Sequence, residues 1–167
     1  MNILMFHSNS DLYGASRILL FTIETFQNEG HYCKVILSSE GPLSNELEQL
    51  KVDYEIINLG ILRRKYLNFK GIINRIKVTR KAWKALNKLI EKQKPDLIYT
   101  NTSGILISAF IAKKHNIKHI WHLHEIILRP KIFTIAIGKL INSYSDKVVV
   151  VSEAVKRHWK KYIEVSK

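Results

Sequence analysis

Short apolar runs alternate with amphipathic stretches along the whole chain, and this alternation predicts strands and helices in turn. Asn2 to Phe6 (NILMF) is apolar without a helical period and reads as a buried strand. A polar loop, His7 to Tyr13, follows it. From Gly14 the positions Ala15, Ile18, Leu19, Thr22, Ile23 and Phe26 recur at the spacing of one buried helix face, and Gly30 ends the helix as a C′ glycine. Lys34 to Ser39 reads as a second strand. Gly41-Pro42 breaks the chain, Leu43, Leu47 and Leu50 mark a short helix, and Tyr54 to Leu59 reads as a third strand.

The stretch from Gly60 to Lys70 has the weakest pattern. Beyond it, Gly71 to Lys94 places Ile72, Ile76, Trp83, Leu86 and Ile90 at helical spacing, and Pro95 stops the helix. Asp96 to Asn101 predicts a strand, Ser103 to His115 a helix, His119 to Leu123 a strand, and Phe133 to Tyr144 a helix. Lys147 to Val151 (KVVVV) reads as a strand of the most buried kind, with Ser152 capping a last helix through Trp159 and Tyr162.

Strands that alternate with helices join through right-handed crossovers, so the expected fold is α/β. It is a Rossmann-like, doubly wound, mainly parallel sheet with helices on both faces. Leu4, Val35, Ile98, Ile120 and Val149 are expected in that sheet. Ligands of such folds gather at the carboxyl ends of the strands. The loops to examine are therefore His7 to Gly14, Ser38 to Pro42, Asn101 to Gly104, His122 to Lys131, and Ser152 to Glu153.

Composition narrows the class. The chain has 167 residues, 46% hydrophobic and 25% charged, with three prolines. That is globular, with enough apolar material for the core of one domain covering 1–167. No apolar run reaches the length of a membrane span, and the first residues lack the form of a signal peptide. The single cysteine, Cys33, reads as a buried small hydrophobe, and the expected compartment is the cytoplasm.

Nucleotide motifs are absent. No G-x-G-x-x-G follows the first strand, and no Walker-type glycine loop occurs. Gly14 either makes a turn or lets a backbone approach a ligand at the helix start. His122 and His124 lie two apart, so on a strand their side chains point the same way, and Glu125 follows. No third well-spaced ligand makes this a metal site. Three polar groups at the end of a buried strand face either a partner or a ligand. His31 sits where a histidine caps helix carbonyls.

Charge is the strongest global signal. There are 27 Lys and Arg against 14 acidic residues, a net +13. Arg63, Arg64, Lys65, Lys70, Arg75, Lys77, Arg80, Lys81, Lys84, Lys88, Lys92 and Lys94 face only Glu91. Lys156, Arg157, Lys160 and Lys161 form a second cluster. This composition fits a solvated outer helix or adsorption to an anionic membrane surface, and it lacks any nucleic-acid-binding motif.

The ordered set of motifs resembles the N-terminal domain of family 4 retaining glycosyltransferases of GT-B fold. Asn2 to Arg17 is similar to that family's first strand and Gly-Gly-Ala segment, here Tyr13-Gly14-Ala15, with Tyr13 in place of the first glycine. Gly30-His31, Gly41-Pro42-Leu43 with Leu47, Pro95 to Asn101 (PDLIYTN), His124-Glu125, and Val149 to Val155 with Ser152 follow in the family's order.

The resemblance implies a set of roles. Gly14 would lie beneath the donor's diphosphate and sugar. His124 would approach the donor sugar, with Glu125 positioning it, the pair being the catalytic candidates. Ser8 to Ser16 would line the acceptor cleft. The substrate-binding candidates are Ser10, Tyr13, Gly14, Ala15, Ser16, Asn101, His122 and Ser152. No metal or cofactor is implied. The substrates would be a nucleotide-diphosphate sugar and a glycan or lipid-linked acceptor, at the inner face of the cell membrane if adsorption occurs. A C-terminal donor-binding domain is expected beyond Lys167. Alternatives of the same fold are half of a nucleotide-sugar epimerase and a non-catalytic ligand-binding domain.

Overall fold

The computed structural model describes residues 1–61, 66 and 68–163. Arg63, Arg64 and Lys65 of the expected basic stretch, and the chain end at Lys167, lie outside the described residues. Six parallel strands form one sheet: β1 (Asn2–His7), β2 (Tyr32–Leu37), β3 (Asp53–Ile56), β4 (Leu97–Thr100), β5 (Lys118–Leu123) and β6 (Lys147–Val150). Helices α1 (Gly14–Asn28), α2 (Pro42–Gln49), α3 (Phe69–Gln93), α4 (Ile107–His115), α5 (Lys131–Tyr144) and α6 (Glu153–Trp159) connect or follow them. The spatial order is β3-β2-β1-β4-β5-β6, so the winding reverses between β1 and β4. This is the Rossmann-like sheet that the alternation predicts, and Leu4, Val35, Ile98, Ile120 and Val149 all lie in it.

Strand periodicity divides the core. Ile3, Met5, Val35 and Tyr99 pack under α1 and α2 with Leu19, Ile23, Leu43 and Leu47. Leu4, Phe6, Ile36 and Ile98 face the other way, against α3 and α4. Trp121 and Leu123 continue that second face under α5 and α6 with Ile137, Ile141 and Trp159. Cys33 is 2% exposed and belongs to the core, as a small hydrophobe would.

Local signals act where the sequence puts them. Gly30 takes φ +76°, and His31 N–H donates to Phe26 while Gly30 N–H donates to Gln27, the paired bonds of a Schellman end. Ser152 Oγ accepts from Val155 N–H at 3.3 Å and starts α6. The His31 ring does not cap carbonyls; its Nδ1 lies 3.4 Å from the Met1 ammonium.

Six expectations need correction. The helix expected from Ser103 begins at Ile107, because the Ser103 backbone N–H and hydroxyl are both bound by the Glu125 side chain. The Lys147 to Val151 strand is not deeply buried: β6 is the outermost strand, and Val149 and Val151 are exposed. On α1, Ile18 is exposed and the polar Ser16 is buried instead. On α3, Ile72 and Ile76 are exposed among the described residues, whereas Leu86 and Ile90 farther along the helix are buried in the core. The strand at 34–39 also begins earlier, at Tyr32, and the one at 54–59 ends earlier, at Ile56.

Candidate active site

The sheet's reversal point opens between the ends of β1 and β4. Strand alternation then selects what faces it. Ile3, Met5 and His7 point to the α1 side. So do Leu97, Tyr99 and, one step past β4, Asn101. On β5 the same parity passes through Ile120, His122 and His124. Three adjacent strands thus deliver His7, Asn101 and His124 to one place.

Asn101 is the hub. Its Nδ2 donates to the Ala15 carbonyl at 2.9 Å, which fixes which end of the amide is nitrogen. The same Nδ2 donates to His7 Nδ1 at 3.1 Å, so His7 carries its proton on Nε2 and donates it to Ser16 Oγ at 3.0 Å. The amide oxygen accepts from His124 Nε2–H at 2.7 Å, which leaves the lone pair of His124 on Nδ1. One amide therefore sets the tautomers of two histidines.

The surroundings keep these rings neutral. Burial is the main cause in each case: it pulls His7 down to about 4 and His124 below its ordinary value. His122, buried and edge-on to Tyr99, is also lowered to about 4 by burial and then by His124. The Tyr99 hydroxyl and His122 Nδ1 share a hydrogen bond, and the His122 and His124 rings lie 4.3 Å apart. The Glu125 charge opposes these shifts without reversing them.

Glu125 is occupied by the neighbouring loop. One oxygen accepts from the Thr102 hydroxyl. The other accepts from Ser103 N–H at 3.0 Å and Ser103 Oγ at 2.9 Å. Behind the loop, Trp121 Nε1–H donates to the Thr102 carbonyl at 2.6 Å and Trp159 Nε1–H to the Glu125 carbonyl at 2.9 Å. The chemistry open to Glu125 here is orientation of the 101–104 loop.

The rim is formed by the start of α1. Tyr13 is its N-cap residue, gives no side-chain cap, and leaves its ring 73% exposed. Gly14 has no left-handed φ, and a Cβ placed on it would meet nothing within 4 Å. The turn therefore does not demand glycine, and the space beside Gly14 is open.

Of the residues singled out from the sequence, Ala15, Ser16, Asn101, His122, His124 and Glu125 are joined in one cluster, with Tyr13 and Gly14 at its rim. Two others are engaged elsewhere. Ser10 donates to the Ser39 carbonyl, tying the β1 and β2 loops together, and Ser152 caps α6. His7, Tyr99, Thr102 and Ser103 were given no role by the motifs. The signal for His7 was there: a polar residue ends an otherwise apolar first strand, at the position where a doubly wound sheet binds ligands.

The family model described as Glycosyltransferase Family 4 matches residues 13–167, most of the chain. The chain belongs to glycosyltransferase family 4. No curated protein sequence matches it. Among solved structures, this family 4 domain is similar to Anabaena Alr3699/HepE in complex with UDP-glucose, with 20% identity and a TM-score of 0.71 over 97% of this chain and 40% of that one. It is also similar to a glycosyltransferase from Rickettsia africae (23%, TM-score 0.66, 97% and 41%). A third likeness is to MurG of Acinetobacter baumannii (12%, TM-score 0.67, 92% and 42%). At these identities the likeness is one of fold, that of half a GT-B architecture. The chain spans about two-fifths of the length of these proteins.

Proposed function

We propose that this domain is the acceptor-side half of a retaining glycosyltransferase, which moves a sugar from a nucleotide-diphosphate donor to a glycan or lipid-linked acceptor. The observation that carries this reading is the His124–Asn101–His7 cluster at the sheet's reversal point, beside open space at Gly14. A neutral imidazole with Nε2–H committed to Asn101 offers Nδ1 as an acceptor for a sugar hydroxyl. The unoccupied room at Gly14 lets a diphosphate approach the start of α1, where backbone N–H groups favour negative charge. Family membership and the UDP-glucose complex of the Anabaena protein support a nucleotide sugar as donor.

Stabilising a departing diphosphate takes preorganised donors on more than one side. This chain's groups supply one wall, and the proposal assigns the other to a donor-binding domain. The test is made in the two-domain protein. His124→Ala lowers turnover roughly a hundredfold, the scale of one lost oriented hydrogen-bonding group, while circular dichroism at the assay temperature shows the fold retained. Turnover equal to wild type across donor concentrations would remove His124 from the site.

A further inference from the structure

One hydrogen bond does not aim a ring. His124 is held at Nε2 by Asn101. Its Cβ–Cγ torsion joins an sp³ to an sp² carbon and has a broad, shallow profile. Turning about that axis moves Nε2 less than Nδ1, because Nε2 lies nearer the axis. The Asn101 bond tolerates the small shift, while the Nδ1 lone pair sweeps round with the ring plane. Fixing that plane takes a second contact, on the face of the ring.

His122 makes this contact. The two histidines occupy successive same-side positions at the end of β5, and their rings lie 4.3 Å apart with planes inclined by 40°. His122 is itself held twice. Its Nδ1 shares a hydrogen bond with the Tyr99 hydroxyl, and its ring meets the Tyr99 ring at 5.8 Å and 81°. Tyr99 in turn stands edge-on to Phe26 of α1, at 6.0 Å and 85°. A row of four rings thus runs from α1 across β4 to β5, and His124 is its last member.

Packing alone does not call for histidine at 122. His122 and Tyr99 are both buried, at 7% and 4% exposure, and leucine or phenylalanine would fill such a space without losing hydration. What histidine adds is a polar bond that a phenyl ring cannot make, and this bond sets the direction of the ring. So little exposed surface also leaves His122 little to offer a substrate.

We propose that His122 is a positioning residue for sugar transfer: bonded to Tyr99 and stacked on His124, it fixes the plane of the His124 ring and so aims Nδ1 at the substrate hydroxyl. Its part in the reaction rests on the transferase reading of His124. The titratable groups that act on this trio of imidazoles are His7 from β1, at the end of the same cluster, and Glu125, next in the chain. Burial opposes a proton on each imidazole, and Glu125 favours one. By covering one face of His124, the His122 ring keeps water off it and supports the neutral form whose Nδ1 can accept.

The test pairs kinetics with magnetic resonance. In the two-domain protein, His122→Ala should lower kcat roughly tenfold with the donor KM within about twofold, because the ring is misdirected and binding is not lost. His122→Phe keeps the stack and should recover part of the rate; Tyr99→Phe loses only the hydroxyl and should lower kcat about threefold. Circular dichroism at the assay temperature checks each fold. In the 167-residue chain, the imidazole signals of His124 are followed against pH. Burial holds its midpoint below 6.5 in the wild type. In His122→Ala that midpoint should rise toward 6.5 as water reaches the uncovered face, and the acid limb of kcat should rise with it. Wild-type kcat with an unmoved acid limb in a folded His122→Ala would overturn the proposal. So would a loss that falls mainly on KM with the His124 titration unchanged, which would make His122 a substrate contact. His124→Ala run alongside separates the two readings. Full turnover there removes both, whereas a hundredfold loss there with a fully active His122→Ala removes only the positioning role.

Discussion

Asn101 Oδ1 lies 2.7 Å from His124 Nε2, and this bond can point only one way because the other end of the amide is held by Ala15. Replacing Asn101 by the similar-sized Leu would strand His7 Nδ1 and the His124 N–H together, and would leave the Ala15 carbonyl with its helical bond alone. Each buried group left without a partner costs roughly 1–3 kcal/mol. Asn101→Leu should therefore lower unfolding free energy by about 3 kcal/mol, read from the urea midpoint. A loss below about 0.5 kcal/mol would mean that water replaces the amide freely.

Stability should fall on mild acidification. His7 titrates near its ordinary 6.5 when unfolded but at about 4 when folded, because burial opposes its charge. The unfolded chain thus binds a proton that the native one refuses. The contribution is fully present above the unfolded value and is lost as pH falls through the window from 6.5 toward 4. The full loss from His7 is on the order of 3 kcal/mol. A urea series across that window should show the decline, and His7→Gln should flatten it; identical slopes in the two proteins would exclude His7 as the cause.

Gly14 separates room from conformation. Its backbone is not left-handed and the space at its Cβ is empty. Gly14→Ala should keep or raise stability, by up to about 1 kcal/mol, through a stiffer unfolded chain. In the two-domain protein the same change should weaken donor use, seen as a higher donor KM. A destabilised domain, by contrast, would show that the turn itself needs glycine.

Glu125 and Ser152 both act on backbone. Glu125→Ala should release the Ser103 N–H and hydroxyl, speed hydrogen exchange at Ser103, and cost about 2 kcal/mol. Ser152→Ala removes a cap and should cost about 1 kcal/mol. Equal exchange at Ser103 in wild type and Glu125→Ala would dismiss the loop-holding role.

The chain alone should fold and not transfer sugar. Its described residues hold a six-stranded sheet and three core clusters, and the proposed reaction draws its second wall from a donor-binding domain. Sustained product from labelled nucleotide sugars and lipid or glycan acceptors, using the purified chain, would contradict this.

The parts of this fold legible in one dimension are those set by neighbours in the chain. Gly30 and Ser152 end and start helices by local backbone chemistry, and the Asn2 strand is apolar on both faces because both are covered. His124 stood out because a polar pair ends a buried strand. What could not be read depends on which strands are adjacent. His7 meets Asn101 only because β1 lies beside β4, and nothing near His7 in the chain encodes that. Ser16 breaks the apolar face of α1 because its partner is a histidine. The valines of β6 give no sign that the strand lies at an edge. The Ile72 and Ile76 periodicity persists in α3 whether or not a core stands opposite.

The reversal between β1 and β4 also orders the assembly of the domain. β1 can pair with β2, and β2 with β3, as soon as the first 56 residues exist. Its other edge stays open until β4 arrives: the His7–Asn101 bond spans 94 positions and the Ala15–Asn101 bond 86. Closing so long a loop is a late, entropically costly event. Asn101 and its partners His7 and Ala15 are thus the clasp of the seam, and their bonds form only when the two halves of the sheet have met.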